Sequence, residues 1–573
     1  MNTNREMRTA KPERLLGAFV AVALSLVSPT PGHAQATRIS QDEMKQWLTY
    51  IASDDLQGRQ VFTEGLALAG AYIADHLKEW NVRPAGDAGG YFQTVRVLGV
   101  RTRSNSTLTV TVNGQSRTFK DGEGVTFARN QGGKQTVNAR LEFLGYGLSY
   151  SPLRYDDYDG RDVKGKVALY LGRRGPGFTP AEDRLVNARG RFAIETGRAA
   201  GAIGPAQQPQ GGRGNAGQAN AGGGGGGGNN QRVDFTTVQR LDLPIPPQVT
   251  VSDDFYQFVF SAIGQDYNEL KERASKQEAL PKIDLKDASV RIAVDADYDI
   301  VQTRLTRNVV GIVEGSDAKL RDTYVLLGAH YDHVGYQQFS GTVAAGTNAI
   351  ASCTGQTRPD ARPGDIINNG ADDDGSGTVA LMAIAKAFAT GQKPKRSVMF
   401  VWHSGEEAGL YGSRYMADYP VVPLDHVAAQ LNIDMIGRTS CDDEANANRL
   451  FLVGSDRIST ELHNLNEEAN SGQPAPLTLD YALNDIADTE SLYTRSDHYS
   501  YAAKGIPIIF FTTGLHRDYH YVTDEVSKID FAKMQRVTQL VYSTATRVAN
   551  LDHFPSRDNQ GPRVGKGQTG QIR

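Results

Sequence analysis

TYVLLGAHYDHVG (Thr323–Gly335) is an apolar run interrupted by an imidazole and a carboxylate, and its reading decides the fold. Tyr324 to Ala329 carries no charge, as in a strand buried on both faces; such strands belong to parallel sheets covered by helices. The same event recurs downstream. SVMFVW (397–402) precedes Glu406-Glu407, AQLNI (429–433) precedes Asp434, and IPIIFFTTG (506–514) precedes His520. Asp373 differs, because it stands before the helix-like run SGTVALMAIAKAFA (376–389). In open α/β sheets the loops beyond the carboxyl ends of parallel strands converge on one crevice. His330, Asp373, the glutamate pair, Asp434 and His520 are therefore expected to meet in space.

Three carboxylates and two imidazoles suit zinc better than the all-oxygen cages of calcium or magnesium. A further glutamate beside a ligand is what a metal-assisted hydrolase needs to take a proton from water. Each motif has a plainer reading. His330 alone reads as a structural histidine, with Asp332, two positions on, able to accept a bond from its ring. GADDDGSGT (370–378) could be a helix N-cap, but three successive carboxylates exceed what a cap requires and repel one another without a cation. Glu406-Glu407 could be a solvated acidic pair. Asp434, embedded in an otherwise apolar strand, is the hardest to explain without a metal, since an uncompensated buried charge is costly. His333 reads as a surface or cleft-lining residue and not as a ligand.

The chain has 573 residues, too many for one ordinary core, with 39% hydrophobic and 22% charged residues. A net charge of −4 leaves no footprint for nucleic acid or an anionic membrane. Arg5, Arg8, Lys11 and Arg14, the apolar run Leu15–Val27 and Ala34-Gln35-Ala36 form a leader-like segment at 1–36, its apolar core shorter than a membrane span. An exported protein, periplasmic or extracellular, is expected, with no membrane attachment after cleavage. Two cysteines, Cys353 and Cys441, flank the proposed site, and an oxidising compartment permits one bridge between them; two separate thiols are the alternative.

EMKQWLTYIAS (43–53) and EGLALAGAYIADHLKEW (64–80) carry helical periodicity. From about Leu98 the texture changes to short alternating strands: STLTVTVNG, TVNARLEFLGYG and KGKVALYLG, then a helical segment, RGRFAIETGRAAGAIG (189–204). The Gly-rich stretch Gln207–Gln231 has almost no apolar residues and reads as a disordered loop, not a phosphate-binding one. The α/β pattern begins near Asn308, and the polar tail 553–573 has no periodicity.

Together, GAHYDHVG, GADDDGSG, HSGEEAGLYGS, NIDMIG and the closing histidine resemble the M28 family of co-catalytic zinc peptidases. The resemblance covers about Ser40–Val95, with ASDDLQGR and GYFQ, and about Asn308–Leu551. GYG, YDDYDGRDVKGKVALYLG and the following Ala-Gly-rich segment are similar to the protease-associated (PA) domain inserted in many exported members. The resemblance implies an α/β fold with a mixed, mostly parallel central sheet flanked by helices, formed by 37–97 and 300–552, and a mainly-β PA-like insert at 98–299. It implies two zinc ions, one on His330 and Asp434, the other on Glu407 and His520, with Asp373 bridging. Glu406 is then general base and acid, Asp332 a supporting catalytic residue, and Tyr519 a donor to the oxyanion. A cis peptide between Asp373 and Asp374 is implied as well. The expected activity is aminopeptidase action on peptides or proteins. Carboxypeptidase and glutaminyl-cyclase activities are the enzymatic alternatives within the family, and a catalytically dead PA-domain binding protein is the alternative from a different functional class.

Overall fold

Apolar strands bury both faces only if helices cover both sides, and the sheet shows this directly. In Tyr324–His330, Val325, Leu327 and Ala329 enter one core while Leu326 enters another on the opposite face. The computed structural model describes residues 39–559, apart from 131, 206–232, 238–240, 242–243, 337–352, 354–360 and 486–487. The leader-like segment, the Gly-rich stretch and the tail beyond 559 lie outside the described residues.

Four strands run parallel at the centre of the main sheet, in the order Ser397–His403, Tyr324–His330, Val427–Ile433, Ile508–Thr512. Ala296–Val313 is antiparallel to Ser397–His403 on one side, and Arg449–Val453 is antiparallel to Ile508–Thr512 on the other. Helices Gln41–Ile51, Glu64–Glu79, Gly377–Thr390 and Phe531–Asn550 share the core on one face. The other face is covered by residues of Tyr411–Asp418 and His498–Ala502. Gly377–Thr390 is locked to the sheet because Thr378 Oγ1 donates to the His330 carbonyl at 2.6 Å and Trp402 Nε1 to the Thr378 carbonyl at 3.0 Å.

From the strand ending at His330 the chain crosses through Gly377–Thr390 to a neighbour on one side. It next crosses to Val427–Ile433 on the other side. Strand order reverses at the His330 strand, so the crevice outside the carboxyl ends opens there.

Phe92–Ser104 pairs with Ala296–Val313 from Phe92↔Val309 to Ser104↔Ala296, one long antiparallel ribbon leading out of the sheet. Beyond it lies a closed barrel of short strands between Thr107 and Val294, with its own core around Val110, Phe143, Ile203 and Phe260. The expected helix at 189–204 is divided. Asp183–Glu195 is helical, and Gly201–Pro205 is a barrel strand parallel to Val167–Leu169 and Gln248–Val251. Gly204 lies so close to the Tyr170 ring that an added Cβ would sit 2.1 Å from it, a packing demand that helical periodicity does not reveal. Asp234–Thr237 returns from the barrel region to pair with Val97–Val100 at the edge of the main sheet. The tail keeps its place through 559, where Asn559 Nδ2 donates to the Asp456 carbonyl and His553 Nε2 lies 2.7 Å from Glu461 Oε1.

Candidate metal centre

His330 ends its strand with the ring almost wholly buried, 1% exposed. Its Nδ1 lies 3.1 Å from the Asp332 carbonyl, an atom that can only accept, so Nδ1 carries the proton and Nε2 presents its lone pair to the crevice. The expected bond to the Asp332 carboxylate is not what orients the ring, since that oxygen is 3.8 Å away. The carboxylate instead accepts the backbone N–H groups of Glu406 at 3.1 Å and Glu407 at 3.3 Å, fixing the turn that carries the glutamate pair. Burial, with the nearby Glu407 carboxylate adding to it, raises the Asp332 pKa to about 7.

The three successive aspartates have separate tasks. Asp372 accepts from the Gly437 N–H at 2.6 Å and lies 3.2 Å from His516 Nε2. Asp374 accepts from the N–H groups of Gly377 at 2.9 Å, His330 at 3.1 Å and Met435 at 3.2 Å. Both tie the helix start to neighbouring strand ends; only Asp373 turns into the crevice, from a loop whose Asp373–Asp374 peptide is cis. Asp524 supports that loop by accepting the N–H groups of Asp372 and Asp373.

Asp373 divides its oxygens. Oδ1 is 3.3 Å from His330 Nε2, and Oδ2 is 3.0 Å from His520 Nε2. On the first side Asp434 Oδ2 lies 3.6 Å from His330 Nε2 and is oriented by the Ser496 hydroxyl at 2.7 Å. On the second side Glu407 Oε2 lies 2.9 Å from His520 Nε2. The residues picked out by sequence therefore gather as two trios sharing Asp373. Asp373 Oδ2 and Glu407 Oε1 are buried without a hydrogen bond of good geometry among the described residues. Charged oxygens in that position call for a cation, and the nitrogen and oxygen donors fit zinc. Burial lowers the pKa of His330 and His520, yet the facing carboxylates outweigh it. Asp434 and Asp373 hold His330 well above the usual histidine value, and Glu407 and Asp373 hold His520 at about 10. A divalent cation would answer the same excess of negative charge.

The two adjacent glutamates sit in opposite fields. Removal from water raises both, but His520 and His333 bring Glu407 below the ordinary carboxylate range. Glu406, beside Glu407, Asp434 and Asp497, stays well above it despite His330. The Tyr519 ring stacks on His520 at 3.9 Å, and its hydroxyl accepts from Arg495 Nη2 at 3.1 Å, leaving its proton free for the crevice. Met435, Leu492, Phe510 and Leu515 form the apolar part of the wall. Cys353 and Cys441 form a disulfide, Cα atoms 5.2 Å apart, beside that wall.

Several supporting residues escaped the sequence reading. Arg59, 1% exposed, donates to the carbonyls of Ile51, Asn369, Gly370 and Tyr331, joining the loop of Asp373 to the end of the His330 strand. ASDDLQGR figured in the sequence only as part of the family resemblance, which does not mark its arginine as a buried brace. His333 lies inside, 1% exposed, and not on the surface.

Residues 308–545, which contain the candidate ligands, match peptidase family M28. The chain is 26% identical over 303 residues to leucine aminopeptidase 2 of Trichophyton equinum, covering 47% of this chain and 51% of that one. Against aminopeptidase Y of Saccharomyces cerevisiae it is 26% identical over 286 residues, 48% of this chain and 44% of the relative. A probable zinc metalloprotease of Pyrenophora tritici-repentis is 35% identical over 133 residues, 20% of this chain and 27% of that protein. The chain thus spans about half the length, or less, of the curated relatives it matches. The match to peptidase family M28 covers residues 308–545 and, with them, the strand-end motifs.

Proposed function

We propose that the protein is an exported metallopeptidase that holds two zinc ions and releases N-terminal residues from peptides. The observation that carries this reading is the division of Asp373, one oxygen toward His330 and Asp434 and the other toward His520 and Glu407. One carboxylate placed between two imidazole-containing trios is the arrangement expected of a bridge between two ions. Zinc at these positions would supply Lewis acidity and a water that ionises near neutral pH.

The protein's own groups do the rest. Glu406 as the carboxylate takes a proton from the attacking water, and surroundings that favour its protonated form let it hold that proton until it passes to the leaving amine. Glu407, held ionised by two imidazoles, serves as a ligand. Tyr519, oriented by Arg495, donates a hydrogen bond to the oxygen that gains charge as the carbonyl is attacked. Asp332 keeps both glutamates in register through their backbone.

The names of the relatives favour aminopeptidase action. The Cys353–Cys441 bridge accords with export to an oxidising compartment, and no helix among the described residues is long and apolar enough to cross a membrane. The barrel is read as a PA-like insert. Purified protein should contain two zinc ions per chain and lose peptide hydrolysis in chelator. Acetylating the substrate's N-terminus should remove activity, and amidating its C-terminus should not. A single calcium ion, or full turnover in chelator, would overturn the proposal.

A further inference from the structure

His333 stands three residues beyond His330 and faces the second trio. Its Nδ1 is 3.0 Å from Glu407 Oε1 and 3.8 Å from Asp373 Oδ2. His520 approaches the same carboxylate from its other oxygen, and the two imidazoles meet edge to face with centroids 5.6 Å apart. The ring is 1% exposed, and neither nitrogen makes a hydrogen bond of good geometry among the described residues. A buried imidazole in that state carries an uncompensated desolvation cost.

The surrounding backbone is shaped to admit it. Gly370 adopts φ +56°, and an added Cβ would lie 2.3 Å from the Asp373 carbonyl oxygen and 2.6 Å from Cγ and Cδ2 of His333. The His333 N–H donates to the Arg59 carbonyl at 3.1 Å, which anchors the residue to the brace under the site.

We propose that His333 is a further metal-binding residue, presenting Nδ1 to the ion held by Asp373 and Glu407. This rests on the two-ion reading above. With Nδ1 directed at the ion, the proton resides on Nε2. The second position then contains an additional neutral nitrogen donor, which strengthens its preference for zinc-like ions over magnesium or calcium.

The test counts imidazoles directly. The whole protein is loaded with cobalt(II), and hyperfine-shifted exchangeable imidazole N–H signals are recorded by proton NMR. Three such signals, from His330, His520 and His333, are expected, with one lost in His333→Asn. The second equivalent of metal should also bind at least about tenfold more weakly in that variant, measured by competition with a chelator. Two cobalt ions with only two signals in the unaltered protein would overturn the assignment, and this result does not depend on the variant folding. Fewer than two bound cobalt ions would instead overturn the two-ion reading itself.

Discussion

Replacing Arg59 with methionine should destabilise the peptidase domain while leaving its surface unchanged. The guanidinium reaches Ile51 O and Asn369 O at 2.6 Å each, Gly370 O at 2.9 Å and Tyr331 O at 3.0 Å. A hydrogen bond from a charged donor contributes roughly 1.5–3 kcal/mol net, so four amount to about 6–12 kcal/mol. Against this stands the cost of keeping the charge out of water. Burial presses the Arg59 pKa down to about 10, partly offset by Asp373 and other nearby carboxylates, and from 12.5 that is about 3 kcal/mol at roughly 1.4 kcal/mol per unit. Methionine fills the space and removes that cost, but leaves four carbonyls to seek other donors. The difference is about 3–9 kcal/mol, and relaxation of the freed carbonyls toward other donors places the loss at its lower end, about 3–5 kcal/mol, the range for breaking a buried charged network. In a domain of this size it corresponds to a fall in Tm of about 10 °C. Calorimetry and urea titration of the unaltered protein and Arg59→Met measure it. Arg59→Lys should recover less than half, because one ammonium cannot span four carbonyls. A loss below about 1 kcal/mol for Arg59→Met would refute the reasoning.

Glu406→Gln should retain both metal equivalents and lose turnover by about 10²–10⁴-fold, whereas Glu407→Gln should lose metal first; metal content and kcat of the two purified variants decide it. Retained metal in Glu407→Gln with loss in Glu406→Gln would reverse the assignment. Lys533 is fully buried, with Nζ 3.3 Å from the Asn446 carbonyl, and burial lowers its pKa to about 8 against about 10.4 in the unfolded chain. The unfolded state binds more protons between those values, so this group's contribution to stability should improve as pH rises from about 8 to 10.4. Lys533→Met should therefore stabilise the protein at pH 7 by about 1–3 kcal/mol and flatten the slope. Urea titrations at pH 7 and pH 9 check both signs.

The strand ends were legible because charge is rare after an apolar run. His330, Asp434 and His520 stand where hydrophobic periodicity stops, and topology alone brings such positions together. The division among Asp372, Asp373 and Asp374 was not legible. All three are one residue type in one turn, and only tertiary donors, the N–H groups of Gly377, Met435 and Gly437, distinguish the bracing pair from the inward-facing residue. Arg59 was hidden for a related reason, since its four acceptors are backbone atoms from three separate segments and leave no side-chain pattern. Within the barrel, the Gly201–Pro205 strand was masked by the helical texture just before it.

The ribbon joining the two parts has a consequence for how such a chain could be shortened. Its strands leave and re-enter the main sheet side by side, Ser104 opposite Ala296, so a tight hairpin could join them in place of everything between, at the loss of the contacts from Arg184, Arg191 and Glu195 to Glu490, Thr494 and Tyr499 beside the crevice. Excision would nonetheless leave a scar. Asp234–Thr237 belongs to the excised stretch, and it is what lies against Val97–Val100 at the sheet's outer margin. Without it, a row of unsatisfied amides and carbonyls would be offered to any passing strand. A trimmed chain would become prone to edge-to-edge self-association, unless a charged residue or a proline were placed on the bared strand.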